Sequence, residues 1–263
     1  MNKKMPILIL LCGLPASGKS TYAKELQFRI KNSVVFSSDA IRNELYGNEN
    51  IQGDANEVFN LMNTRVVQAL NNGYTVIYDA TNITRKSRAV IISMCPKFVK
   101  IECHITWCPI QRCIDRDKER NRTVGEKIID RMLKRFQAPF YDEGINEIKI
   151  IRPIGINLAI YTSKVIKDLN IPHDNSHHTL NIYQHCKEAY NYINNKCNLN
   201  DTMNEISFAA SIHDIGKPYT KNFYDAKENL TSEAHFYQHQ CVGAWMSYGF
   251  TTTTPYVAWL IST

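Results

Sequence analysis

The sequence predicts two domains of different class: an α/β domain, with a parallel sheet covered by helices on both faces, and then an all-α domain. Three observations predict this. Apolar, β-branched runs alternate with helical patterns through the first 150 residues, the order that gives parallel strands joined by helices. Charge divides the chain near residue 150, with 23 Lys and Arg against 16 Asp and Glu before it and 8 against 9 after it. Histidine divides the same way: His104 alone lies in the first part, and 173, 177, 178, 185, 213, 235 and 239 lie in the second. The expected boundaries are 1–152 for the first domain, 153–171 for a connector and 172–263 for the second. The apolar portion 156–171 of the connector has the composition to pack on something.

Strands are expected at 7–12, 33–36, 74–78, 98–106 and 147–151. Helices are expected around 19–30, 54–72, 84–94, 109–121 and 126–138, and in the second part at 180–195, 203–215 and 233–248. Lys3 and Lys4 before Ile7–Cys12 imitate a secretory signal. The apolar run is only six residues and enters Gly13 directly, so it reads as a buried first strand. No later stretch is long and apolar enough to span a membrane, and no membrane partner is expected. Cysteines 12, 95, 103, 108, 113, 186, 197 and 241 show no C-x-x-C pair. They read as free thiols in a reducing compartment, and the chain as cytoplasmic.

The first strand ends in Gly13-Leu14-Pro15-Ala16-Ser17-Gly18-Lys19-Ser20, and Thr21 continues into a helix. Gly13 and Gly18 allow the backbone of this G-x-x-x-x-G-K-S run to curl its N–H groups around a phosphate. Lys19 then reaches the outer phosphates of a nucleoside triphosphate, and the Ser20 hydroxyl ligates Mg²⁺. The helix N-terminus adds positive potential. A glycine turn with an incidental lysine is the alternative. The strand before it and the helix after it argue against that.

Two other strand ends carry polar chemistry, where ligands sit in such sheets. Ser38-Asp39 follows the second strand, with Arg42 three residues on and on the same helical face. Asp39 is a candidate general base and Arg42 a candidate phosphate ligand, or Ser38 or Asp39 merely caps the helix. Asp79 follows the third strand, then Thr81, Asn82, Arg85 and Arg88; capping by Thr81 or Asn82 competes with ligand binding. Residues 112–135 hold nine Lys and Arg against five Asp and Glu, including Arg116, Arg120, Arg122, Arg131 and Arg135. They form either a solvated helix face or a lid whose arginine closes on a transferring phosphoryl group.

Taken in order, G-L-P-A-S-G-K-S, S-S-D-A-I-R, D-A-T-N and E-R-N-R-T-V-G-E-K-I-I-D-R-M resemble the P-loop kinase domain of phage-type 5′-OH polynucleotide kinases, over roughly residues 5–150. The resemblance implies phosphoryl transfer from ATP to the 5′-hydroxyl of RNA or DNA. It implies ATP and Mg²⁺ contacts from Lys19 and Ser20 and neighbouring contacts from Gly13, Pro15, Ala16, Ser17, Gly18, Thr21 and Asp79. Asp39 becomes the general base, Arg42 the ligand of the acceptor's 3′ phosphate, and Arg122 the lid arginine. Ala80 separates Asp79 from Thr81-Asn82, a departure from some relatives. Kinases of small molecules and of aminoacyl-tRNA share D-x-x-R and D-A-T-N-like segments.

In the second part, His213-Asp214-Ile215-Gly216-Lys217 ends a helical segment, with His185 on the preceding helix. His235 and His239 are spaced to share one face of the next helix. Adjacent imidazole and carboxylate groups suit divalent ions. Lys217 is a phosphate contact or an exposed lysine facing a helix C-terminus. With I-P-H-D-N-S-H-H at 171–178 and H-F-Y-Q-H at 235–239, this run resembles the HD-superfamily phosphohydrolase domains found with some bacterial tRNA nucleotidyltransferases. The resemblance implies an HD domain in which His185, His213 and Asp214 ligate a transition metal such as Mn²⁺, Ni²⁺, Fe²⁺ or Zn²⁺. His235 or His239 assists a second ion, and a phosphoester is the substrate. The distal aspartate usual in that family is not evident before Thr263: either the chain is cut short or the site is incomplete.

Together these readings predict an end-healing enzyme. One half phosphorylates 5′ ends and the other removes 2′,3′ or 3′ phosphate, an arrangement that suits a ligase partner. The alternatives are a small-molecule or nucleotide kinase with an HD nucleotidase, and an ATP-binding module with a degenerate HD domain.

Overall fold

The structure, a computed structural model, describes residues 5–120, 122–176, 178–196 and 201–263. His177 and Cys197 lie outside the described residues. The chain divides into two compact units, one of 1–129 with 139–153 and the other of 130–138 with 154–263.

The first unit holds five parallel strands: β1 (Ile7–Cys12), β2 (Ser33–Ser37), β3 (Thr75–Asp79), β4 (Lys100–Thr106) and β5 (Glu147–Ile151). They are ordered β2-β3-β1-β4-β5. From Leu8 to Cys12 every residue of β1 is buried, odd and even alike, so the central strand is covered on both faces. On one face, Ile9, Leu11 and Ile77 pack with Ala23 and Leu26 of α1 (Lys19–Arg29). The crossover helices are α1, α2 (Ser38–Tyr46), α3 (Ala55–Asn71), α4 (Arg85–Met94) and α5 (Ile110–Lys118); α6 (Glu126–Leu133) begins in this unit and its residues from 130 on count with the second. The strand order makes β1, β3 and β2 neighbours, which gathers the chain following Cys12, Asp79 and Ser37 at one edge of the sheet.

The second unit is helical but not all-α. Its helices are α7 (Leu158–Asp168), α8 (Ile182–Lys196), α9 (Asp201–Ile212), α10 (Lys217–Thr220), α11 (His239–Ser247) and α12 (Pro255–Ser262). Between α10 and α11 lies an antiparallel hairpin of β6 (Asn222–Tyr224) and β7 (Leu230–His235). Its core gathers Ile182, Ile212, Val242, Trp245, Val257 and Ile261, and Phe136 meets Trp245 edge-on at 5.3 Å.

Two sequence expectations change here. Much of the 153–171 stretch read as a connector is α7, which belongs to the second unit: Val165 is buried, and the Tyr161 hydroxyl donates to the Met246 carbonyl at 3.1 Å. The single helix expected over 233–248 is a strand and a helix parted at Gln238, whose φ of 61° is left-handed. His235 and His239 therefore share no helical face.

Candidate functional site

The turn after β1 is shaped by its own backbone. Ala16 and Gly18 sit at positive φ, 57° and 105°. A Cβ on Gly13 would come within 2.6 Å of Thr106 Oγ1 and 2.8 Å of Ser17 Oγ, so only glycine lets the turn lie this close to β4. Pro15 and Ser17 are buried in the same turn. No side chain caps α1, whose first N–H groups are left for a ligand. Lys19 is buried, and its Nζ donates to the Leu14 carbonyl at 2.8 Å. Burial lowers its pKa, against the pull of Asp79. Ser20 and Thr21 are exposed at the head of the helix. Burial raises the Asp79 pKa, while a hydrogen bond from Ser20 and the charge of Lys19 oppose it. Asp79 thus meets the proposed Mg²⁺ ligand despite the intervening Ala80.

The segment after Asp79 is structural. Asn82 Nδ2 donates to the Leu11 carbonyl at 2.8 Å, and Gly13 N–H donates to the Thr81 carbonyl at 2.9 Å, stitching β3 to the phosphate turn. Neither Thr81 nor Asn82 caps α4; Thr84 does, accepting from Ser87 N–H. Arg88 is fully buried in a two-pronged ion pair with Glu143, both contacts at 2.7 Å, and also donates to the Asn82 carbonyl. Arg85 pairs with Asp142 at the surface.

At the head of α2 the capping expectation fails for both named residues. Ser37 is the cap, accepting from Asp39 N–H at 3.3 Å. The Asp39 carboxylate is left for other partners. Its Oδ1 accepts from Arg42 Nη1 at 2.9 Å and pairs with Arg122 Nη1 at 2.8 Å. Arg42 Nε is buried without a hydrogen-bond partner. Arg120 follows α5, its N–H donating to the Asp117 carbonyl at 3.3 Å. Arg116 lies against Cys108 Sγ at 3.6 Å. Arg131 and Arg135 fall in the second unit. Asp117, unremarked in the sequence, is buried and accepts from Val124 N–H at 3.0 Å and Gly125 N–H at 2.9 Å, fixing the loop that carries Arg122. Its signal was only a carboxylate within a charged helix.

In the second unit, one ligand atom each from His185, His213 and Asp214 lies within 4.8 Å of the other two. His213 Nε2 is 3.3 Å from His185 Nε2 and 3.3 Å from Asp214 Oδ2. His239 Nε2 is 3.4 Å from Asp214 Oδ1. His213 Nδ1 faces the Ala210 carbonyl at 2.7 Å, and His239 Nδ1 faces the Phe236 carbonyl at 2.8 Å. The carbonyl at each Nδ1 can only accept, so Nδ1 donates there and Nε2 is the nitrogen turned to the carboxylate side, where it could ligate a metal. Asp214 Oδ2 is buried with no donor aligned for a hydrogen bond, although Lys217 Nζ pairs with it at 2.8 Å. Burial pushes the Asp214 pKa up, but His213 and Lys217 more than reverse it, and the carboxylate stays ionised. Two imidazoles with a third nearby and one carboxylate fit a borderline divalent metal.

Lys217 is neither exposed nor at a helix C-terminus: it is buried at the start of α10, and its Nζ also approaches His173 Nε2 at 3.2 Å. His173 is a buried partner that the sequence signalled only through Ile171-Pro172-His173-Asp174. His235 departs from expectation, with Nε2 at 3.1 Å from Thr231 Oγ1 and its ring stacked on Tyr237, away from the Asp214 carboxylate. A Cβ on Gly216 would come within 2.0 Å of the His239 carbonyl, so this glycine permits the approach that brings His239 to Asp214.

A parallel sheet whose central strand feeds a phosphate-binding turn, with Lys19 and Ser20 opening the next helix, defines a P-loop kinase-like phosphotransferase, a fold that implies ATP and Mg²⁺. The chain belongs to the AAA domain family, whose sequence model matches residues 8–139, half of its length. It is 28% identical over 149 residues to the L-seryl-tRNA(Sec) kinase of Methanococcus maripaludis, covering 51% of this chain and 53% of that protein. It is 27% identical over 142 residues to the protein KTI12 homolog of Xenopus laevis, 50% of each. The chain thus spans about half the length of the curated relatives it matches. Among solved structures it is similar to a chain of the Pnkp1/Rnl/Hen1 RNA repair complex, at 22% identity, TM-score 0.45, and 49% and 43% of the two chains. It is also similar to a fungal RNA kinase, at 12% identity, TM-score 0.42, and 78% and 49% of the two chains. No helix among the described residues is long and apolar enough to cross a membrane.

Proposed function

We propose that this chain heals nucleic-acid ends, its first unit phosphorylating a 5′-hydroxyl of RNA or DNA and its second removing phosphate from a 2′,3′ or 3′ end. The observation that carries the kinase half is the Asp39 carboxylate, released from capping by Ser37 and held by Arg42 and Arg122 near the phosphate turn. Asp39 takes the proton of the acceptor hydroxyl as its oxygen attacks the γ-phosphorus and ADP leaves. Arg122 turns its guanidinium to the phosphoryl group in flight, and Arg42, beside Asp39, supplies positive charge for a phosphate on the acceptor. Ser20, hydrogen-bonded to Asp79, would hold Mg²⁺, which would neutralise charge on the outer phosphates.

A polynucleotide acceptor is supported by the basic first part of the chain and by a relative whose name places its acceptor on a tRNA. In the second unit, His185, His213, Asp214 and His239 would hold the metal, which would polarise a phosphoester. Lys217, paired with Asp214, would contact the substrate phosphate, and this pairing of activities suits a ligase partner.

The deciding experiment uses γ-labelled ATP with 5′-OH RNA and DNA oligonucleotides, seryl-tRNA, nucleosides and sugars at low and physiological salt. Transfer to oligonucleotides with a KM that rises steeply with salt supports the proposal. Transfer confined to nucleosides or sugars, with a salt-independent KM, overturns it.

A further inference from the structure

The second unit carries a broad, open depression of about 690 Å³, joined along the chain through Gln238 to His239 of the histidine cluster. The hairpin and the turn before α11 form it. Tyr224 lines one part and Tyr237 another, and both rings remain well exposed. Tyr237 is backed by His235, the two rings stacked at 5.4 Å with only 5° between their planes. The charged lining is Asp225 and Glu228, with no lysine or arginine among the described residues, which disfavours a phosphate there. Asp225 already accepts from Lys227 N–H, Asn229 N–H and the Asn229 side chain, so it serves the turn. Gln238 also lines the cavity, and its left-handed φ leads the chain directly into His239, whose Nε2 faces Asp214.

We propose that this cavity seats the terminal nucleobase of a polynucleotide 3′ end. It rests on the phosphoesterase reading of the neighbouring cluster and adds the substrate class to it. Two accessible phenol rings, one stiffened by stacking, suit a planar neutral group, because every base offers a π-face to an aromatic ring. The carboxylates Asp225 and Glu228 disfavour the charged backbone within the depression. One nucleotide is thereby divided between two surfaces: the base meets the tyrosines, and the phosphate attached to its sugar meets His239 and Lys217.

The test uses the full chain and single-stranded oligonucleotides ending in a 3′-phosphate, with 2-aminopurine either at the 3′-terminal position or in the interior. Binding should quench the terminal probe and leave the interior probe much less affected. Tyr224→Leu and Tyr237→Leu should each weaken binding about tenfold and abolish the terminal quench, while leaving kinase activity unchanged. Tyr237→Phe should keep both, since it retains the ring. An oligonucleotide abasic at its 3′ end should bind the native chain no better than the normal end binds the Leu variants. Equal quenching at both positions, undiminished quenching in the Leu variants, or full-strength binding of the abasic end overturns the inference. Loss of phosphate release in His213→Ala bears separately on the phosphoesterase reading. If release depends on His213 while the tyrosine variants bind and quench normally, the base site falls and the phosphoesterase stands. If the terminal base is seated but no phosphate is ever released, the reverse holds.

Discussion

Arg122 Nη1 lies 2.8 Å from Asp39 Oδ1, joining the loop after α5 to the head of α2. On the proposed kinase reading, this arginine leaves the carboxylate when an acceptor and a nucleotide bring their own anionic oxygens. Arg122→Ala should therefore lower kcat by about 10³-fold or more, with little change in the KM for ATP. Arg42→Ala should act chiefly on the KM of an acceptor that carries a 3′ phosphate. Steady-state kinetics with matched acceptors, with and without that phosphate, separate the two residues. An Arg42 effect equal for both acceptors refutes its assignment.

Asp39→Asn should cut the phosphotransfer rate by about 10²–10⁴-fold while leaving ATP affinity and melting temperature nearly unchanged. The cap of α2 is the Ser37 hydroxyl, so the amide costs the helix little. Ser37→Ala should show the complementary behaviour, losing about 1 kcal/mol of stability through the missing cap. Rates and thermal melts of both variants check the division.

Lys19→Ala should abolish phosphoryl transfer and leave the far-ultraviolet circular dichroism unchanged. The side chain gives up one hydrogen bond to the Leu14 carbonyl and a contact that only a nucleotide would make. Normal turnover by this variant would remove the phosphate-turn assignment altogether.

Chelation should abolish phosphoester hydrolysis in the second unit, and Mn²⁺ or Ni²⁺ should restore it. His185→Ala and Asp214→Asn should each lose most of the restored activity and bind the metal at least tenfold more weakly, because they remove ligand atoms outright. Calorimetric titration with the metal alone reads the affinity independently of turnover.

Acid stability should depend on Glu102. Its carboxylate is buried, which acts to raise its pKa, but hydrogen bonds from Lys100, Lys149 and His104 pull it down to about 2. The folded pKa lies below the unfolded one. The stabilisation is therefore complete above about pH 4.5 and fades as pH falls towards 2. Glu102→Gln should lower stability at pH 6 and converge with the native chain in strong acid. Urea unfolding across pH 2–6 should show that convergence; a constant gap would show that the ion network contributes nothing pH-dependent.

The phosphate turn and its sheet were legible because each depends on short-range pattern. The run Ile7–Cys12 is too short for a secretory signal and enters Gly13 directly, and the strand before Gly13–Ser20 with the helix after it favoured a phosphate turn over an incidental one. The placing of Asp39 was legible, but its freedom was not: whether Ser37 or Ser38 caps α2 turns on one φ, ψ pair. Asp117 escaped notice because its partners are the backbone N–H groups of Val124 and Gly125, which leave no trace in side-chain pattern. In the second unit, His185 comes from α8 to meet the adjacent pair His213-Asp214, and their chemistry made all three stand out in the sequence. The spacing of His235 and His239 misled because Gln238 breaks the helix in a left-handed conformation that glutamine seldom adopts. The hairpin of β6 and β7 was missed because three residues on one side are too few to show alternation. Helix α7 was hidden in an apolar stretch that reads equally as packed linker.

The contact at Gly216 has a consequence for how the second unit can change over time. Its hydrogen faces the main chain of His239 and of Gly243, with no side chain between them. The gap between Asp214 and His239 is thus gauged by two backbones in contact, and not by the bulk of any replaceable residue. Surrounding side chains can drift, and the hairpin can be remodelled for a different substrate, without the span across the histidine cluster being retuned. Chemistry and recognition in this unit are, in that sense, free to diverge at different rates.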